Sequence, residues 1–233
     1  MTTTLRSPLM SPFVCPTRRT LLAALIALSL PAAWMPKAHA ASLEEAVADL
    51  QHEWESIRYQ AASGEREKRF EALAAKAHAV SESFGGRSEP LVWEGIIVSS
   101  WAGEKGGLGA LGLVKQAKAL YEAAIELDGK ALDGSAYSSL GVLYYKVPGW
   151  PLAFGDKAKA QELLQKALAI NPQGIDANYF YGEYLLERGR AAEAVPYLER
   201  VLQAPPRAGR ALADAGRRDE ARLLLVKARA AAK

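Results

Sequence analysis

The sequence predicts an all-α protein, a curved solenoid of stacked helical hairpins with an N-terminal helical pair and a degenerate C-terminal cap. Three observations predict it. Small residues recur at fixed positions in units of ~34 residues, as helical-hairpin repeats require. Pro172 and Pro206 fall where second helices should stop, since proline donates no backbone hydrogen bond and clashes with the preceding turn. Apolar residues recur at helical spacing even outside the clearest repeats: Leu43, Val47, Leu50, Trp54 and Ile57 form one such stripe.

Residues 1–40 are set apart from the fold. They carry Arg6, Arg18, Arg19 and Lys37 but no acidic residue, then an uncharged run from Thr20 to Met35 and an Ala38-His39-Ala40 end. A basic start, an apolar middle and small residues at −3 and −1 make up a secretory signal peptide. Cleavage is expected after Ala40, which places the processed protein in the periplasm with no transmembrane helix. Thr17-Arg18-Arg19-Thr20 also resembles a twin-arginine export signal, so the route, general secretory or twin-arginine, is left open. The one cysteine, Cys15, lies upstream of the apolar run, so the processed chain has none and must be held together by burial.

Charge narrows the function. The first 40 residues take four of the 29 basic residues and none of the 26 acidic ones, leaving 25 basic against 26 acidic. A surface near neutrality does not grip phosphate backbones, which excludes nucleic acid as a partner.

The elements follow in order. Residues 41–89 hold a helical pair, Ser42–Ala61 and Glu65–Ser81, broken at Ser63-Gly64 and serving as a cap or decayed repeat. The solenoid spans residues 90–233 in units of about 90–129, 134–174, 175–208 and 209–233. The first is degenerate, with Trp93 and Ile96 in its first helix and Ala117, Tyr121 and Ala124 in its second. The next carries Tyr137, Leu140, Gly141 and Tyr144, then Ala160, Leu164 and Ala167. In the third, counted from Ile175, Gly182 takes position 8, Leu185 position 11, Ala194 position 20, Leu198 position 24 and Pro206 position 32. Gly and Ala at these positions let paired helix backbones approach closely, and Leu and Tyr fill the gaps. Pro196 is expected in the first turn of its helix, where the missing N–H costs nothing. After Pro206 the pattern predicts a short helix to Ala215, a turn at Gly216 and a last helix from Arg218 to Ala231.

This spacing resembles the tetratricopeptide-repeat family over about Pro90 to Ala230, most specifically over Tyr137 to Pro206. The resemblance implies a curved stack whose first helices line the concave side. Their groove-facing slots then hold Glu94, Val98 and Trp101 in one unit, Ser135, Ser138, Val142 and Tyr145 in the next, and Asp176, Tyr179, Glu183 and Leu186 in the third. The candidate groove is therefore Glu94, Val98, Trp101, Tyr145, Tyr179, Glu183 and Leu186, rigid aromatics with a few acids, suited to a protein segment or a small organic ligand. Equally, the aromatics could pack under the two insertions that interrupt the first two units.

Those insertions share an outline, with Gly106 and Gly112 before Ala117 and Gly149 and Gly155 before Ala160. The second, Val147 to Gly155, is apolar and carries Trp150 and Phe154 as candidate contact residues. It could cover the groove, offer Trp150 to a partner or plug its neighbours. The run Leu140-Gly141-Val142-Leu143-Tyr144, then Pro148-Gly149-Trp150-Pro151 and Gly155-Asp156-Lys157-Ala158-Lys159-Ala160, is similar to the periplasmic helical component associated with tripartite ATP-independent (TRAP) transporters. That likeness implies an extracytoplasmic solute-binding protein as partner, an accessory role in solute uptake and a ligand-accommodating channel. The lipoprotein cysteine of some such components is missing here.

Catalytic chemistry finds no support. Gly107-Leu108-Gly109-Ala110-Leu111-Gly112 matches the dinucleotide fingerprint formally, but no alternation of strands and helices surrounds it. His52 and His78 fall in separate helices with no cysteine to complete a metal site. No Ser/His/Asp set stands out. The expectation is a non-enzymatic binding protein without cofactor.

Overall fold

The computed structural model describes residues 42–232. The export segment expected at residues 1–40 lies outside the described residues. Among the described residues there are nine α-helices and no strand: α1 (Leu43–Gln60), α2 (Ser63–Ser83), α3 (Ser88–Lys105), α4 (Ala110–Asp128), α5 (Ala131–Lys146), α6 (Lys157–Ile170), α7 (Ile175–Glu187), α8 (Ala191–Gln203) and α9 (Ala211–Ala231).

Local chemistry starts several of them. Ser42 and Glu45 form a reciprocal capping box at α1, the Ser42 hydroxyl accepting from the Glu45 N–H at 3.2 Å and the Glu45 carboxylate from the Ser42 N–H at 2.9 Å. The Asp156 carboxylate accepts from the Ala158 and Lys159 N–H groups and so opens α6 directly after the second insertion.

Glycines then set how closely the hairpins close. A Cβ at Gly141 would lie 2.8 Å from Leu164, one at Gly182 2.9 Å from Leu198, and one at Gly95 2.5 Å from the Tyr121 ring. Those three contacts join α5 to α6, α7 to α8 and α3 to α4. Leu50, Ile57, Phe70 and Leu73 fill the core of the N-terminal pair, and Leu164, Leu185 and Leu198 that of the later hairpins, all fully buried.

The hairpins form two layers. α1, α3, α5, α7 and α9 make the inner one, each touching the next, while α2, α4, α6 and α8 each pack outside the two inner helices they connect. The inner layer does not stay open, because α9 returns to touch α1. The N-terminal pair is thus a wall of the same ring, and the all-α hairpin solenoid closes around a lumen.

Three local expectations are corrected. The break between α1 and α2 falls at Ala61-Ala62, both extended, and Ser63 and Gly64 belong to the first turn of α2; Arg66 reaches back to bind the Ala61 carbonyl at 3.1 Å. Pro196 lies past the first turn, inside α8. It deprives the Ala192 carbonyl of its helical partner, but both residues are exposed, so water can take that place. Gly216 is not a turn. It lies within the single helix α9, where a Cβ would meet the Tyr59 ring of α1 at 2.3 Å, so the glycine serves the close approach of the two helices.

Candidate functional site

The lumen is a cavity of about 1110 Å³ lined from all five inner helices, with contributions from both insertions and the α8–α9 connection. At one end stand Leu108 and Leu152, one from each insertion, 81% and 64% exposed although they border the cavity. They mark its mouth. The middle is walled by Trp54, Ile96, Val142 and Phe180 with a band of hydroxyls from Ser99, Ser100, Ser135, Ser138 and Ser139. Ser99 and Tyr121 share a hydrogen bond of 3.0 Å, and the Trp54 indole donates to the Ser100 hydroxyl at 2.8 Å.

A charged cluster lies where α9 meets α1 and α7. Arg207 donates to Asp176 and to Asp214, each at 2.7 Å, and Arg217 donates to Asp176 at 2.9 Å and to Glu220 at 2.7 Å. Burial alone would raise the Asp176 carboxyl, but Arg217 and Arg207 outweigh it and hold the group well below the usual carboxylate range. The Arg217 guanidinium also lies 4.4 Å from the Tyr179 ring centre and 4.7 Å from that of Phe180. Arg210 differs from its neighbours. Its Nε approaches Glu55 at 3.4 Å, its guanidinium sits 5.0 Å from the Trp93 ring centre, and burial together with the like charge of Arg207 pushes it below its ordinary pKa.

The same cluster fastens the ring. Buried Glu55 of α1 accepts the Ala213 N–H at 3.2 Å, supplying from another helix the cap that α9 lacks at its own N-terminus. Arg58 pairs with Glu220 at 2.8 Å, and the His52 ring donates from Nε2 to the Gly209 carbonyl at 3.0 Å.

The backbone contributes too. α5 opens with Leu132 (φ 48°), Asp133 (φ 58°) and Gly134 (φ 75°) in the left-handed region, and the first two border the cavity. Left-handed φ costs a non-glycine residue ~1–2 kcal/mol, so the surrounding packing must enforce it.

The groove residues expected from sequence fall elsewhere. Glu94 is only 2% exposed, bound to the His78 ring at 3.0 Å across the α2–α3 contact, and Val98 is buried in the core. Trp101 packs against that core with the Lys105 ammonium 5.7 Å from its ring centre. The cause is register. Gly95 makes the α3 contact that Gly141 and Gly182 make later, which starts the unit at Ser88 rather than Pro90 and puts Ile96 and Ser99 in the slots of Val142 and Tyr145. Tyr145 and Glu183 are brought together, the phenol donating to the carboxylate at 2.5 Å, but at the α5–α7 contact. Lys146 joins them by pairing with Glu183 and Glu187. Burial first, then the Glu183 charge, raises the Tyr145 phenol well above its ordinary value. Leu186 packs beside these residues in the later core. Tyr179 is buried and meets the lumen's charged end through Arg217.

The second insertion is ordered by its own backbone. Leu152 and Ala153 donate to the Gly149 carbonyl, Gly155 to Pro148, and Asp156 to Tyr144. A Cβ at Gly155 would lie 2.0 Å from the Val147 carbonyl, so only glycine closes this loop. Phe154 packs edge-on against Tyr144 at 5.4 Å between centres. Trp150 is 90% exposed, held outward on this knob beside the mouth residue Leu152.

Arg207, Arg210 and Arg217 were missed by sequence reading, since Arg207 falls at the very end of the last complete unit and the other two past it, among ordinary mixed charges. Among the described residues no group of three or more His, Cys, Asp or Glu could hold a metal ion, and no helix is long and apolar enough to cross a membrane.

One inner and one outer helix per unit, closed by small residues at the crossing, define a helical-hairpin repeat protein, a class that presents curved surfaces to protein partners. The family model described as tetratricopeptide repeat matches residues 152–213, which supports a tetratricopeptide-repeat assignment. No curated protein matches the sequence. Among solved structures, a thermophilic TPR protein of Thermus thermophilus aligns over 78% of this chain and 100% of its own, at 15% identity and a TM-score of 0.39.

Proposed function

We propose that this chain is a non-enzymatic extracytoplasmic repeat protein that holds a small organic molecule in its lumen and meets a protein partner at the rim. In this reading it is an accessory of a TRAP-type solute uptake system, its partner an extracytoplasmic solute-binding protein. One observation carries the ligand-holding part: α9 returns to α1, so the concave surface is an enclosed cavity rather than an open groove for an extended peptide. Its 1110 Å³ and largely apolar wall suit a small organic molecule, for which pockets of about 300–1,000 Å³ are usual.

The rim supports the partner. Leu108, Trp150 and Leu152 are exposed apolar side chains on the two insertions that flank the mouth, and a tryptophan so placed is the kind of anchor that dominates protein interfaces. Periplasmic export rests on the basic, apolar and Ala-x-Ala pattern of residues 1–40, and the link to TRAP transport on the interrupted repeat from Leu140 to Ala160.

Native mass spectrometry of protein purified without denaturation from its own compartment tests the reading. An additional small-molecule mass, an N-terminus at Ala41 and co-purification of a solute-binding protein are expected. Only the bare polypeptide mass, with nothing released on denaturation, would overturn the ligand-holding assignment.

A further inference from the structure

The charged end of the lumen holds two donors without acceptors. The Arg210 side chain is 12% exposed, yet its one hydrogen bond is the long contact from Nε to Glu55, and its terminal nitrogens meet no acceptor among the described residues. Beside it, Trp93 lines the cavity, and its indole N–H is buried without an acceptor among the described residues. A buried donor left unmade costs more than a made bond returns, so at the Trp93 N–H, with the unpartnered Arg210 terminal nitrogens alongside, the protein's own atoms leave hydrogen bonding incomplete.

Charge fixes what would complete it. Arg207 and Arg217 are already engaged by Asp176, Asp214 and Glu220. Arg210 feels the charge of Asp176, but only Glu55 hydrogen-bonds it; that carboxylate is shared with the Ala213 N–H, and Arg207 stands close by with like charge. A carboxylate would satisfy the free Arg210 donors with charge-assisted hydrogen bonds, about twice as strong as those a neutral acceptor could make. Besides Trp93 the cavity is lined by the apolar side chains of Ile96, Val142 and Phe180 and by Leu108 and Leu152 of the insertions, while its other cations, Arg58 and Lys146, are already paired with Glu220 and with Glu183 and Glu187.

We propose that the lumen binds an amphipathic monocarboxylate, its head received by the Arg210 guanidinium and the Trp93 indole N–H and its apolar body lying toward Leu108 and Leu152. This rests on the reading of the lumen as a ligand cavity and names the class of ligand. It assigns Arg210 and Trp93 a binding role, and it explains why a guanidinium lies 5.0 Å from the centre of an indole ring whose N–H is left unpaired beside the cavity.

The test is calorimetric titration of the purified protein with decanoate, decanol and decylamine, which share a body and differ in head group. Decanoate is expected to bind at least about tenfold more tightly than decanol, the worth of one charge-assisted hydrogen bond, with decylamine weakest. Arg210→Gln should reduce decanoate binding to the decanol level and leave decanol unchanged. Because that change also touches the Glu55 contact, Trp93→Phe serves as the second variant: it keeps the ring, removes the N–H, and should weaken decanoate severalfold without altering decanol. Decanol binding as tightly as decanoate, or decanoate binding unchanged in both variants, overturns the carboxylate assignment. If no probe binds but the native protein carries a co-purified mass, the carboxylate assignment fails and the ligand cavity stands. If neither is found, the cavity reading itself fails.

Discussion

The Glu55 carboxylate of α1 accepts the backbone N–H of Ala213 in the first turn of α9 at 3.2 Å, so the first helix of the ring caps the last. One side chain therefore does two jobs, satisfying a helix terminus and standing opposite the Arg210 guanidinium. The repeat geometry brings the ends near each other, and this contact fastens them.

Glu55→Ala should destabilise the fold by about 2–4 kcal/mol, because it leaves a buried cation without its partner and an N-terminal helix N–H without a cap. Urea denaturation measures this. A loss below ~0.5 kcal/mol would mean that the ring does not depend on the clasp.

Gly216→Ala should be destabilising by about 1–3 kcal/mol, although the same exchange in an ordinary helix interior gains up to ~1 kcal/mol. The added Cβ would fall 2.3 Å from the Tyr59 ring. Thermal melting of Gly216→Ala alone and combined with Tyr59→Ala checks the cause, since in the double variant the alanine should no longer cost stability relative to Tyr59→Ala.

Acid should weaken the charged end of the lumen. Asp176 is depressed in the folded state by Arg217 and Arg207 against the effect of burial. Its contribution is therefore fully present above the unfolded aspartate value of about 3.9 and is lost as pH falls below it toward the folded value. Urea midpoints recorded down the acid range should fall for the native protein. Asp176→Asn should be less stable at neutral pH and show a shallower fall below about pH 4.

Trp150→Ala should shift stability by less than ~0.5 kcal/mol, since the side chain is 90% exposed. Capture of the protein partner proposed for the rim should nevertheless drop. Unfolding of this variant would show that the insertion braces the fold instead.

Where the repeat is regular, sequence was enough to place the helices. Gly141 and Gly182 stand opposite Leu164 and Leu198 as their spacing implies, because a small residue at a helix crossing is a local requirement that leaves a local mark. The first unit misleads for an instructive reason. Sequence spacing pairs Trp101 with Tyr145, 44 residues on, whereas the structural equivalents Gly95 and Gly141 are 46 apart. At 3.6 residues per turn, two residues turn a side chain by about 200°, which moves Glu94, Val98 and Trp101 from the expected groove to the packed side. Gly95 was the available clue.

Sequence by itself determined that the chain is helical, that its helices pair into hairpins, and which leucines and alanines lie between them. Each of those features depends on residues within a few turns or one hairpin of each other, and periodicity records such contacts. Only the tertiary structure decided that the solenoid closes into a ring, that its concave face is a chamber, and that Arg210 and Trp93 meet at its end. These depend on turns accumulated over successive hairpins and on contacts such as that between Glu55 and Ala213, 158 residues apart. No local pattern encodes the sum of those turns.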